Sequence, residues 1–297
     1  MALMIDYWCF SAVVEGQTLP LETGLEVVLA AEAISIEKTD TGYSLIKAWF
    51  EDEPDPDQLG AVVSRSIEHE QLIEHGVVCH KGRDWLAENR KAFPPLHLGP
   101  FWIYGSHVMQ AQPVGSLPLL VEAAQAFGSG THPTTQTCLL ALAEQRKKRR
   151  RPRRILDMGC GSAILAMAAQ RLFPASKIFA VDNDTVSVRT AQENRQKNEI
   201  STMKMRIIVS EGFADRTVSR NGPYDLIMAN ILAGPLRRMA ADFSHNLSPG
   251  GQLILSGLLY HQAQQIVVDY RARKLILEMR FEQDEWSCLV FKKRQRG

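Results

Sequence analysis

The stretch Ile155-Leu156-Asp157-Met158-Gly159-Cys160-Gly161-Ser162-Ala163 decides the fold. Four apolar-rich positions read as a buried strand, two glycines as a sharp turn, and the apolar residues after Ala163 as a helix. Glycine lets a ligand approach the backbone, and the helix that follows points free N–H groups at it. In a dinucleotide fingerprint the third glycine would stand at Ile164, so a pyrophosphate ligand is disfavoured.

Further short apolar runs follow at Lys177–Val181, Met205–Val209, Leu226–Ala229 and Leu253–Leu255, with helical spacing near 163–172, 185–198, 232–246 and 260–272. This alternation predicts an α/β domain on a mostly parallel sheet, closed by an antiparallel hairpin from Leu275–Phe281 and Trp286–Phe291. Upstream, Met4–Ala12, a helix through Leu21, Leu25, Val28 and Leu29, and extended runs at Ile34–Ile36 and Tyr43–Trp49 give a β-α-β-β order. With a helix through Leu59–Ile67 they make a small α+β domain over residues 1–95. Residues 96–120, rich in Pro and Gly, read as a linker with a hairpin of Phe101–Tyr104 and His107–Met109, and residues 121–297 as the α/β domain.

Composition narrows the partners. The 297 residues carry 34 Lys and Arg against 33 Asp and Glu, a net charge of +1, so nucleic-acid contact would have to be local. The five cysteines are scattered and form no C-x-x-C pair, which fits a reducing cytoplasm, and no apolar run reaches membrane-spanning length. His69, His75, Cys79 and His80 are cut by Gly76 and read as a solvated helix end, so no metal is expected. From Arg146 to Arg154 eight of nine residues are basic. That run reads as a solvated connector, with contact to RNA or an acidic surface as the alternative.

Several polar residues fall at strand ends or in turns. Asp182 stands where a carboxylate accepts hydrogen bonds from ribose hydroxyls, and Asp184 where it caps the next helix. Asn230, in Ala229-Asn230-Ile231-Leu232-Ala233-Gly234-Pro235, suits either orientation of an attacking amine or a helix cap. In the loop Ala126-Phe127-Gly128-Ser129-Gly130-Thr131-His132-Pro133-Thr134-Thr135, local sequence assigns Thr134 or Thr135 as a cap.

Taken together, that loop, the glycine turn, Val181–Asp184, Ala229–Pro235 and Leu247–Gly257 resemble the PrmA family, bacterial methyltransferases of large-subunit ribosomal protein eleven. The resemblance is strong over residues 120–260. It implies a class I, Rossmann-like methyltransferase fold with S-adenosyl-L-methionine as cofactor. It places cofactor contacts on Thr135, Gly159, Asp182 and Asn230, with Phe127 and Gly161 beside them, and so replaces the capping assignment of Thr135. It further implies methyl transfer to lysine ε-amines and the N-terminal α-amine, with Asn230 positioning the amine, His132 a candidate base, and the first domain recognising the substrate. Ala163 departs from the family, which has glycine there. A methyltransferase of another amine or of nucleic acid, and a non-catalytic cofactor-binding scaffold, are the alternatives; an Asn-Pro-Pro-aromatic motif is absent at Asn230, which counts against base methylation.

Overall fold

The computed structural model describes residues 7–15, 21, 25, 29, 31, 33–38, 43–50, 52–66, 72–80, 94–122 and 130–295. Its contacts divide into two compact units, Met1–Asn89 and Arg90–Gly297.

In the first unit, β1 (Tyr7–Glu15), β2 (Ala33–Lys38), β3 (Tyr43–Phe50) and β4 (Leu72–His80) form an antiparallel sheet in the order β2-β3-β1-β4, with α1 (Pro56–Ser66) between the last two in sequence. Along β3 every second side chain is buried, from Ser44 to Phe50, the period-two signature of a sheet with one covered face. Phe10, Ala12, Val14, Ile46 and Ala48 pack against Leu59, Val62 and Val63 of α1 and against Leu21 and Leu25. The rest of the expected helix through Leu29 lies outside the described residues, apart from Leu29 itself, which packs against this core. One expectation is corrected. The segment with His75 and Cys79 is not a helix end but strand β4, paired in register with β1 (Cys9 opposite Val78, Ser11 opposite Gly76). Backbone pairing to β1 overrides the weak helical pattern, and Gly76 is tolerated because β4 is an edge. His69 lies outside the described residues.

The second unit is built on seven strands: β8 (Arg154–Met158), β9 (Lys177–Asp182), β10 (Met205–Val209), β11 (Tyr224–Asn230), β12 (Leu247–Leu259), β13 (Leu275–Gln283) and β14 (Trp286–Lys293). Their order is β10-β9-β8-β11-β12-β14-β13; the first five are parallel and β14 and β13 antiparallel. Consecutive residues such as Ile155 and Leu156, or Ala180 and Val181, are all buried but point into opposite cores, which is why these strands read as continuous apolar runs. One core lies under α2 (Pro133–Lys147), α3 (Ile164–Leu172) and α4 (Thr185–Lys197). The other lies under α5 (Arg216–Arg220), α6 (Ala233–Arg238), α7 (Ala240–Asn246) and α8 (Tyr260–Arg271).

Residues 96–120 differ from the expected linker. β5 (Leu96–Leu98) and β6 (Phe101–Tyr104) make the hairpin about Gly99-Pro100, and β6 then pairs in parallel with β7 (Leu117–Leu120); His107–Met109 form no strand. Phe101, Ile103, Leu119 and Val121 are buried in the first of the two cores, so this small sheet is part of the second unit. A parallel pair joined by a long loop leaves no local turn signal, which is why the sequence points instead to a hairpin at 101–109.

Candidate active site

Chain order reverses between β8 and β11, because β9 and β10 extend the sheet to one side and β12 to the other. Such a switch point leaves a crevice at the carboxyl ends of the strands. The glycine turn leaves β8 there, and Asn230 ends β11 beside it.

The turn is fixed by backbone bonds. Gly159 N and Cys160 N both donate to Val181 O, at 2.8 and 3.0 Å, and Ala163 N donates to Cys160 O at 2.7 Å. Gly159 has φ +70°, and a Cβ there would lie 2.3 Å from Ile231 Cγ2. Glycine is therefore required both by conformation and by the approach of Ile231. Ala163 occupies the left-handed region, φ +62°, as the residue before α3, which explains why glycine suits this position. Its side chain supplies no cap. Asp157 replaces it, accepting from Ala166 N at 3.0 Å across from β8. Asp157 is fully enclosed, its Oδ1 has no partner among the described residues, and burial, opposed by the Ala166 bond and reinforced by the charge of Asp182, pushes its pKa up to about 7.

Asp182 is half-buried at the end of β9. Its Oδ2 accepts from Gly161 N at 2.8 Å and its Oδ1 from Asp184 N at 3.1 Å, so the carboxylate is held rigidly with lone pairs to spare. Asp184 caps α4, accepting from Val186 N and Ser187 N at 3.0 and 2.8 Å; these bonds hold its pKa below the usual carboxylate value. Asp184 is thus the cap that its position suggests, and Asp182 caps no helix. A cleft of about 540 Å³ opens beside Asp182, lined by Gly159, Glu211, Phe213, Ile231 and Met239 among others. Glu211 and Phe213 carry no motif. The signal that could have found them is positional, since they follow the carboxyl end of β10, next to β9 in the sheet.

Asn230 caps no helix: α6 begins at Ala233, and the residue before it, Leu232, donates no side-chain cap. Instead Asn230 Nδ2 donates to Thr135 Oγ1 at 3.3 Å, while its Oδ1 is buried and finds no partner among the described residues. Thr135 is likewise no cap. His132 caps α2, its Nδ1 accepting from Thr134 N at 3.3 Å and lying 2.7 Å from Thr134 Oγ1, with its ring edge-to-face on Trp286 at 5.0 Å. Since a backbone N–H can only donate, Nδ1 is the acceptor and the neutral ring carries its proton on Nε2. Burial holds the His132 pKa below its ordinary value, which favours that neutral form. Phe127 lies outside the described residues.

A clamp behind the site has no counterpart in the sequence reading, where Asn194 is one more position on a helix face. Asn194, fully buried in α4, donates to Ser162 O at 3.1 Å and accepts from Glu122 N at 3.1 Å, while Asn198 accepts from Leu120 N and donates to Leu120 O. The two carboxamides tie the segment after β7, which leads toward Thr131–Thr135, to the glycine turn.

A family model described as ribosomal protein L11 methyltransferase (PrmA) matches residues 3–294. A ribosomal protein L11 methyltransferase of Bradyrhizobium diazoefficiens is 38% identical over 263 residues, covering 89% of this chain and 88% of that relative. One from Rhodopseudomonas palustris is 33% identical over 268 residues, 90% and 88% of the two chains. The crystal structure of ribosomal protein L11 methylase from Lactobacillus delbrueckii subsp. bulgaricus superposes with a TM-score of 0.59 at 26% identity, over 68% of this chain and 99% of that one.

Proposed function

From the premise that this chain belongs to the ribosomal protein L11 methyltransferase family, we propose that it transfers methyl groups from S-adenosylmethionine to amines of ribosomal protein L11, its lysine ε-amines and N-terminal α-amine. The observation that carries the amine chemistry is Asn230. Its orphaned, buried Oδ1 is an acceptor awaiting a donor at the switch point, while its Nδ2 is anchored on Thr135. A buried acceptor without a partner costs roughly 1–3 kcal/mol, which an incoming N–H would recover.

The residues present fit the cofactor. The glycine turn has the bare backbone that close approach needs, Asp182 is held with free lone pairs for ribose hydroxyls, and the cleft with Glu211 and Phe213 lies beside it for the base. When bound, S-adenosylmethionine supplies an already activated methyl group on a sulfonium. The chain has therefore to align the amine, exclude water and accept the amine's hydrogen bonds; it needs no nucleophile of its own. Asn230 Oδ1 orients the neutral amine through its N–H. A lysine, with a pKa near 10.4 in water, sheds its proton as the enclosed site disfavours the ammonium. His132, whose basic nitrogen is engaged by Thr134, shapes the loop.

The first unit recognises the protein substrate in this reading. All the cofactor-contact candidates lie in the second unit, and the first has its own core. A fragment beginning near residue 94 keeps β5 and β6 with the core they complete; it should bind S-adenosylmethionine yet fail to methylate intact L11. The absence of any described helix long and apolar enough to cross a membrane, together with the ribosomal substrate of its relatives, supports action in the cytoplasm. The direct test incubates the full-length protein with L11 and S-adenosylmethionine and weighs the product. Mass increments of one methyl on lysine-containing and N-terminal peptides are expected; methyl incorporation into RNA but not into L11 would reverse the assignment.

A further inference from the structure

The amino-terminal edge of the seven-stranded sheet, the edge away from the glycine turn, gathers cations from most of its strands. Read across the sheet, Lys204 precedes β10, Lys177 begins β9, Arg151, Arg153 and Arg154 lead into β8, Lys292 and Lys293 end β14, and Lys274 precedes β13. β14 runs against the parallel strands, so its carboxyl end falls on the same edge as their beginnings. With strands about 4.8 Å apart, six intervals span roughly 29 Å, with cations from β10, β9 and β8 at one end, cations from β14 and β13 at the other, and none from β11 and β12 between them.

Few acids neutralise it. Glu278 pairs with Arg150 at 3.6 Å and with Lys292 at 3.8 Å. Asp225 is occupied by backbone: its Oδ2 accepts from Arg153 N and Arg154 N at 2.8 and 3.1 Å, which turns the connector so that the Arg151, Arg153 and Arg154 side chains stay exposed. Among the described residues no carboxylate pairs with Arg151, Arg153 or Lys177. In a chain of net charge +1 such a band is a local concentration, and holding it together costs self-repulsion that a bound polyanion would relieve.

We infer that this edge is a docking surface for the phosphate backbone of RNA. Six of the eight cations between Arg146 and Arg154 are arginine, whose planar fork pairs with phosphate oxygens two bonds at a time and stacks on unpaired bases, a partner that an acidic protein surface does not supply. The two groups of cations lie along one line of strand ends, which a strand of regularly spaced charges can follow from one group to the other. β8 is five residues long, so the band lies about 16 Å from the carboxyl ends, and RNA can be held there while the catalytic crevice stays open.

The test measures binding of the full-length protein to a fluorescent single-stranded oligouridylate of about 12 nucleotides over a salt series. With about four phosphates neutralised, the logarithm of affinity should fall against the logarithm of salt with a slope near −3. Changing Arg151→Gln, Arg153→Gln and Lys177→Gln together should weaken binding at least tenfold and flatten the slope by about 2, while cofactor affinity stays within about twofold. Arg151→Glu alone, a milder change to the loop, should weaken binding in the same direction. A salt-independent interaction, or variants that bind as the parent does, would overturn the inference. Displacement by polyglutamate as efficient as displacement by unlabelled oligouridylate of equal charge would assign the edge to an acidic protein instead.

Discussion

The two edges of the seven-stranded sheet are made by the same strands and differ in nearly every physical respect. The carboxyl edge carries Asp182, Asp184 and Glu211 around a bare glycine turn and a cleft, and among the described residues it leaves an acceptor, Asn230 Oδ1, unsatisfied. The amino edge carries Lys177, Lys204 and the arginines at the start of β8. A parallel sheet sorts residues this way because every strand enters on one side and leaves on the other. A net charge near zero therefore conceals an acidic, cation-receptive face and a basic, anion-receptive one. The lesson is that function here is read from strand ends rather than from composition.

Changes at the carboxyl edge should leave the amino edge alone, and their expected sizes can be ranked. Gly159→Ala is the largest. It forces a left-handed φ on alanine and places a Cβ against Ile231, at a cost of roughly 3–5 kcal/mol; cofactor titration should show binding lost while oligouridylate binding persists. Equal loss at both edges would mean that the fold, not the site, had failed.

Next comes Asp157. Its native pKa is raised to about 7, above the value near 3.9 of an unfolded chain, so the native state binds the extra proton and stability falls as pH rises from about 4 to 7. Asp157→Asn keeps an acceptor for Ala166 N and removes the buried charge. It should be near neutral at pH 4 and more stable than the parent by up to about 4 kcal/mol above pH 7. Denaturant midpoints at both pH values check the sign, and a gain that is the same at pH 4 and pH 8 would mean that Asp157 carries no charge penalty. Asp182→Ala should weaken S-adenosylmethionine binding by about 1.5–3 kcal/mol for each charged hydrogen bond lost, as measured calorimetrically. Unchanged affinity would remove Asp182 from the cofactor site.

Ala163→Gly is the smallest. Relief of left-handed strain, about 1–2 kcal/mol, is offset by loss of a buried methyl and by the added freedom of the unfolded chain. Thermal melts should move by less than about 1 kcal/mol equivalent; a large loss would show that the methyl packs better than the turn strains.

Much of the fold is legible in the sequence itself. Strands such as Ile155–Met158 and Leu226–Ala229 are apolar on both faces, and only a covered parallel sheet needs that. Asp182 and Asn230 stand out as candidates because each ends such a strand. What escaped depended on contacts distant in sequence. β4 is a strand because β1 pairs with it, β7 because β6 does, and neither pairing leaves a local mark. Local sequence alone reads Thr135 as a cap, and only the family resemblance corrects it; His132 holds the cap, and the Thr135 hydroxyl meets Asn230, 95 residues away. Asn194 looked like an ordinary helix position because its partners, Ser162 and Glu122, lie on other elements.

In the proposed reaction Asn230 presents its Oδ1, unpartnered among the described residues, to the attacking amine. Single-turnover methyl transfer to L11, measured beside equilibrium cofactor binding for the parent and Asn230→Ala, tests this most directly. The rate should fall by about 100-fold or more, as expected when a group that orients the reactants is removed, while cofactor affinity falls less than about tenfold. Equal losses in rate and affinity would make Asn230 a cofactor contact only, and contradict its role in positioning the amine.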